Sequence, residues 1–318
     1  MSNKPFKAIN WNKIEDMVDK MTYEKLTSQF WLSTRMPVSK DKADFTKLPD
    51  VEKELIGKVF GGLTALDTLQ SEDGVDSLKP FVRTQHETAV LNNILFMESE
   101  HARSYSSIFS TLNTPKEIDE IFKWVEENEA LQNKSKIIGD IYANGTSLER
   151  KVASVFLESF LFYSGFYTPL YYLGNAKLIN IAEVIKLIIR DEAVHGTYIG
   201  YKFQQEFKEL SSEKQEELKD WIYSLLYELY ENEVEYTKDV YDVVGWTEDV
   251  KTFLRYNANK ALMNLGLSPL FTDSAEDVNP LVINGLSTGT TNHDFFSTVG
   301  NGYLITPVED MKDSDYNI

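Results

Sequence analysis

The 318-residue sequence contains no cysteine. That excludes disulfides, thiolate-bound zinc, cysteine-ligated iron–sulfur clusters and any thiol nucleophile or dithiol reductant within the chain. Histidine is scarce, with 4 in all, so each can be weighed singly. Basic residues are outnumbered, 32 Lys and Arg against 50 Asp and Glu, giving a formal charge of −18. A field of that sign repels phosphate backbones and argues against a nucleic-acid partner. The stretch from Met1 to Trp11 is polar and has no apolar signal segment, which reads as a cytoplasmic protein. One uncharged run, 159–176, is 18 residues long, the lower limit for crossing a bilayer. It contains Gly165, Pro169, Gly174 and four tyrosines and follows Glu158 directly. Those interruptions fit a buried helix of a large bundle better than a membrane span.

The remaining composition, 42% hydrophobic and 13% aromatic, is that of a chain with a substantial core. Helical periodicity dominates. Leu55, Val59, Phe60, Leu63 and Leu66 mark a helix over 49–73, and Val90, Leu91, Ile94, Leu95, Ile108 and Phe109 another over 84–111. Thr114-Pro115 caps the next helix. Further helices are expected over 147–173, 179–207, 211–244 and 247–263. No series of short alternating strands with hairpin turns is present, so the expected fold is all-α, a bundle, over 1–285. From about Leu286 the sequence turns rich in Ser, Thr, Gly and Asn and ends on Glu309, Asp310, Asp313 and Asp315. That composition predicts a flexible acidic tail over 286–318, with Tyr303, Tyr316 and Ile318 available to dock on a partner.

Two of the four histidines share a pattern: Glu98-x-x-His101 and Glu192-x-x-His195. A spacing of three puts both side chains on one helix face, where a carboxylate and an imidazole can reach one ion. A single such pair is usually a solvated surface pair. These two sit on apolar faces, beside Leu91, Ile94, Leu95 and Ile108 and beside Ile185, Ile188, Ile189 and Ile199. A buried unpaired carboxylate costs several kcal/mol, which a metal ion would remove. Each pair also has an acid upstream on an apolar stripe: Asp67, 31 residues before Glu98, and Glu158, 34 before Glu192. Four carboxylates and two imidazoles from four helices make the di-iron or di-manganese site of ferritin-like bundles. Such ligands, with no thiolate, suit iron or manganese better than zinc. Tyr105 falls on the same helix face as Glu98 and His101, where its phenol can lose an electron and a proton in the dry surroundings of Phe162, Phe166 and Ile188.

With these residues the chain resembles, over essentially its whole length, the small radical-generating subunit of class I ribonucleotide reductase, most closely the class Ib form. The resemblance rests on Phe30-Trp31, on Leu66-Asp67-Thr68 and on the stretch from Met97 to Tyr105. It extends to the segments from Phe156 to Phe160 and from Arg190 to Gly196, and to the tail around Tyr303. It implies a ferritin-like bundle in which Asp67, Glu98 and His101 bind one metal and Glu158, Glu192 and His195 the other, with a carboxylate bridging. It implies two manganese or two iron ions, a stable tyrosyl radical on Tyr105, and first electron-transfer steps through Trp31 and Asp191, the latter holding His101 by a hydrogen bond. It further implies a radical relay at Tyr303, a docking tail, a homodimer, a large catalytic subunit that reduces ribonucleoside diphosphates, and a flavodoxin-like activator. No membrane partner is implied.

Two other functions compete on the residues alone. One is a di-iron oxygenase or ferroxidase-like enzyme acting directly on its substrate; the other is a helical metal-binding protein with no turnover. Tyr105 and the acidic tail favour the radical subunit, since the others need neither.

Overall fold

In a computed structural model, which describes residues 7–287, thirteen α-helices and no strand are present among the described residues. In chain order they are α1 (Met17–Ser28), α2 (Lys42–Lys47), α3 (Asp50–Leu69), α4 (Val75–Leu78), α5 (Gln85–Leu112), α6 (Pro115–Glu127), α7 (Glu129–Asn144), α8 (Ser147–Phe156), α9 (Tyr163–Gly174), α10 (Ile179–Phe207), α11 (Ser212–Tyr241), α12 (Thr247–Asn264) and α13 (Pro280–Ser287). Local signals set several starts. Thr84 accepts a hydrogen bond from the Glu87 amide at the head of α5. Thr114 with Glu117, and Thr146 with Glu149, form reciprocal capping boxes for α6 and α8.

Helices α3, α5, α8 and α10 pack together as an all-α, ferritin-like bundle, with α7 and α11 against one flank and α9 and α12 against another. The apolar stripes foreseen on α3 and α5 are buried, Leu55, Val59, Phe60, Leu63, Val90, Leu91, Ile94 and Ile108 among them. The uncharged run is also core: every residue from Ser159 to Leu170 is buried. No helix among the described residues is long and apolar enough to cross a membrane.

Three features depart from the sequence expectation. The helix expected over 147–173 is not continuous. A π-helical turn, Leu157–Leu161, in which the Phe162 amide reaches back to the Leu157 carbonyl, separates α8 from α9. A second π turn, Gln70–Gly74, extends α3. Both insert a residue without ending the helix, so a reading of continuous apolar segments passes through them. Helices α1 and α7 were also not foreseen, because their inner faces are partly polar: Asp19 and Thr22 are buried on α1, and Lys134 on α7. The tail residues 288–318, Tyr303, Tyr316 and Ile318 included, lie outside the described residues.

The approach of α9 to α3 depends on Gly165. A Cβ there would lie 2.6 Å from Leu63 Cγ and 2.7 Å from Leu63 Cδ2. In a free helix Gly→Ala stabilises by up to about 1 kcal/mol. Overpacking a closed core costs about 1–3 kcal/mol. Gly165→Ala should therefore lower the thermal unfolding midpoint followed by circular dichroism; an unchanged or raised midpoint would show that Leu63 yields freely.

Candidate metal centre

Six predicted ligands converge. Asp67 comes from α3, Glu98 and His101 from α5, Glu158 from the π turn after α8, and Glu192 and His195 from α10. All six are fully buried. Their ligand atoms form two overlapping groups, each within 4.8 Å: Asp67, Glu98, His101 and Glu192, and Glu98, Glu158, Glu192 and His195. Glu98 and Glu192 belong to both. The imidazoles cross over: His101 Nδ1 lies 2.9 Å from Glu192 Oε1 but 3.5 Å from Glu98 Oε2. His195 Nδ1 lies 2.8 Å from Glu98 Oε1 and 3.2 Å from Glu192 Oε2. Glu158 Oε2 stands 3.5 Å from His195 Nδ1, and Asp67 Oδ1 3.7 Å from His101 Nδ1.

The electrostatics show what the cluster requires. Burial, and then repulsion from Glu192 and Glu98, hold the Asp67 carboxyl well above the usual carboxylate range. Glu158 is raised in the same way by burial and by Glu98 and Glu192. Burial opposes charging of His101 and His195, but the surrounding carboxylates outweigh it and raise both well above an ordinary imidazole. Burial alone would raise Glu192, but its contacts with Glu158 and the two imidazoles hold it below the usual range. Both oxygens of Asp67 and of Glu98, with Glu158 Oε2 and Glu192 Oε1, make no hydrogen bond. Buried acceptors left in this way are costly. Their convergence, with no sulfur present, fits a pair of oxygen-preferring transition metal ions.

Two aromatic residues adjoin the cluster. Tyr105, one turn after His101 on α5, is wholly buried against Phe60, with ring centroids 5.9 Å apart. Its hydroxyl makes no hydrogen bond, and burial together with the Asp67 charge holds its pKa well above that of free tyrosine. The phenol thus keeps its proton. Trp31 lies in the segment after α1, nearly parallel to the His101 ring at 5.9 Å. Its Nε1 donates to Asp191 Oδ2 at 2.7 Å, and the same oxygen is 3.3 Å from His101 Nε2. Trp31, Asp191 and His101 are therefore joined through one carboxylate oxygen.

Several residues that build this arrangement were missed in the sequence. Gln29 Nε2 donates to Asp191 Oδ1 at 2.9 Å, and Arg190 Nη2 to the Gln29 carbonyl at 2.5 Å. Glu100, buried behind the ligand face, accepts from both the amide and the hydroxyl of Ser33 at 2.6 Å. Trp31 is thus clipped on both sides. Gln70 meets Glu158. The only signal for Glu100 was an acid beside a ligand, with its partner 67 positions away.

The family model for the ribonucleotide reductase small chain matches residues 8–280. The chain belongs to that family. It is 55% identical over 311 residues to a ribonucleoside-diphosphate reductase subunit beta of Mycobacterium leprae, covering 98% of this chain and 96% of that one. It is 52% identical to subunit beta of ribonucleoside-diphosphate reductase 2 of Escherichia coli, covering 98% of each. The crystal structure of dimanganese(II)-NrdF from Streptococcus sanguinis is similar with a TM-score of 0.88 and 71% identity, covering 89% of this chain and all of the other. The chain is thus an NrdF-type subunit beta, the component of a ribonucleoside-diphosphate reductase that acts with a large subunit. The direct oxygenase and the inert metal binder find no support in these relatives.

Ions entering the cluster must displace protons. Because Asp67, Glu158, His101 and His195 hold theirs to higher pH than in an unfolded chain, they favour the metal-free fold at low pH. That contribution fades as pH rises through their folded values. Metal binding gains over the same range. The rise in melting temperature on adding Mn(II) should therefore widen as pH climbs from about 6.5, the ordinary imidazole value, toward the higher values of the folded His101 and His195. Scanning calorimetry from acid through mildly alkaline pH checks this, and a gain independent of pH would contradict it.

Proposed function

We propose that Asp67, Glu98 and His101 hold one ion and Glu158, Glu192 and His195 a second, with Glu98 and Glu192 reaching both. The overlap of the two buried ligand groups at these two glutamates is the observation that carries this reading. The ions are two manganese or two iron; the ligand set accepts either. When bound, and charged by an oxygen-derived oxidant, the pair supplies the power to remove one electron from a phenol.

The protein's own residues then determine where that oxidising equivalent goes. Tyr105 would give up an electron and its hydroxyl proton, with Asp67 the first of the cluster's carboxylates whose charge acts on the phenol. Burial keeps water and reductants from the phenoxyl that results. In turnover the radical passes outward through Trp31. Asp191, already accepting the Trp31 N–H, keeps the indole proton within one hydrogen bond while the electron moves. Tyr303 carries the radical onward to a cysteine of the large subunit, because this chain has no cysteine of its own. The thiyl radical there begins reduction of a ribonucleoside diphosphate at its 2′ carbon, supplying deoxyribonucleotides for DNA synthesis.

The remaining parts of the reading rest on the family. Residues 1–285 are the di-metal domain, and 286–318 an acidic tail that docks on the large subunit. The chain works as a homodimer in the cytoplasm, and a flavodoxin-like protein delivers the oxidant when the metal is manganese.

Electron paramagnetic resonance of the metal-loaded, oxidised protein tests the core of this. Tyr105→Phe should keep two ions per chain and lose the radical signal. Trp31→Phe should keep both and reduce turnover with the large subunit to background. A wild-type protein without a tyrosyl signal, or a signal that survives in Tyr105→Phe, would sink the reading.

Truncation after Ile305 addresses the tail. It should abolish binding to the large subunit while metal content stays at the wild-type level; loss of metal would count against a separate docking segment.

A further inference from the structure

Gln70 lies one turn beyond Asp67, in the π turn that extends α3. It is wholly buried, yet its amide is fully engaged. Nε2 donates to Glu158 Oε1 and, at 2.9 Å, to Ser154 Oγ. Oε1 accepts from the Tyr142 hydroxyl at 2.6 Å. The amide thus turns its NH2 toward Glu158 and its carbonyl toward Tyr142, the orientation that suits a Glu158 carboxylate that has given up its proton to hold an ion. Tyr142 is itself buried, and its hydroxyl stays protonated because burial and the nearby Glu158 push its pKa well up. Gly74 leaves the space for this arrangement, since a Cβ there would run into the Gln70 amide and lie 3.0 Å from the Tyr142 ring.

The consequence falls on Glu158. Asp67 and Glu98 have both oxygens free of hydrogen bonds, whereas Glu158 has one oxygen engaged and only Oε2 free. We propose that Gln70, oriented by Tyr142, is a positioning residue that restricts Glu158 to donating a single oxygen. This rests on the di-metal reading above. A carboxylate held to one oxygen leaves a ligand position at its ion open for a small oxidant, and one released to give both oxygens would fill it. The residue acts through Glu158 and touches neither ion nor substrate.

The test adds Mn(II) alone to the metal-free full-length chain. It reads stoichiometry, affinity and the resonance spectrum of the bound ions, so no turnover is needed. Wild type should take two ions per chain. Gln70→Leu frees Glu158 Oε1 and should change the affinity for one of the two ions by about 10- to 100-fold, the size of effect seen when a partner behind a ligand is lost. It should also change the spectrum of the bound pair. Tyr142→Phe should act in the same direction, less strongly, with the metal-free melting temperature showing that the fold is kept. If wild type binds two ions and both variants keep its affinity and spectrum, the proposal is overturned while the metal centre stands. If wild type does not bind two, the di-metal reading itself fails. Should Gln70→Leu lose its cooperative melting transition, Tyr142→Phe decides alone, and wild-type binding there overturns the proposal.

Discussion

Four carboxylates buried within a few ångströms of one another are the constraint on which this structure turns. Removing even one such charge from water costs several kcal/mol unless it is paired. Two imidazoles cannot neutralise four acids, and the raised values of Asp67 and Glu158 are the physical sign of that deficit. A sequence that keeps these acids in its most apolar interior needs a cation there. The same interior, walled by Phe60, Phe162, Phe166 and Ile188, supplies the dry environment that a buried oxidised tyrosine requires.

The bundle is adapted to bring these acids together. Regular α-helices supply Glu98 with His101 and Glu192 with His195, because a spacing of three suffices there. The two helices that bring single acids are irregular near them: α3 passes into a π turn just after Asp67, and Glu158 sits inside another. An inserted residue re-aims a side chain without ending the helix. Close helix approach at Gly165 against Leu63, with no side chain at that crossing, draws α9 against the acid-bearing α3.

Legibility in the sequence followed from how local each feature was. The six candidate ligands were visible because an acid or histidine on an otherwise apolar helical face stands out by periodicity alone. Tyr105 shared that face. Helix α7 was invisible for the opposite reason: its core-facing Lys134 looks solvated until Glu233 of α11 is seen 2.5 Å away. Helix α1 hides likewise, since its buried Asp19 is matched by Lys202 and Tyr198 from α10, far along the chain. The π turns, the Gln29 and Glu100 clips around Trp31, and the Gln70 contact all depend on partners distant in sequence. Trp31 and Asp191 were found only through family resemblance, as nothing local marks a tryptophan that donates to an acid 160 residues later.

The two imidazoles are alike in sequence context and unlike in what stands behind them. His101 Nε2 faces Asp191, which also receives the Trp31 N–H; His195 Nε2 has no hydrogen-bond partner. A proton or a hole leaving the cluster through hydrogen-bonded groups therefore has a connected exit on the His101 side and none through the other ring. Tyr105 lies on α5, the helix that carries His101, so the buried phenol and the start of that connection share one rigid element. The absence of cysteine completes the logic. A strong oxidant held for long periods would consume a nearby thiol, which is the residue most easily oxidised. A chain built to store an oxidising equivalent is safer without cysteines, and it leaves the thiol chemistry to the subunit that receives the radical.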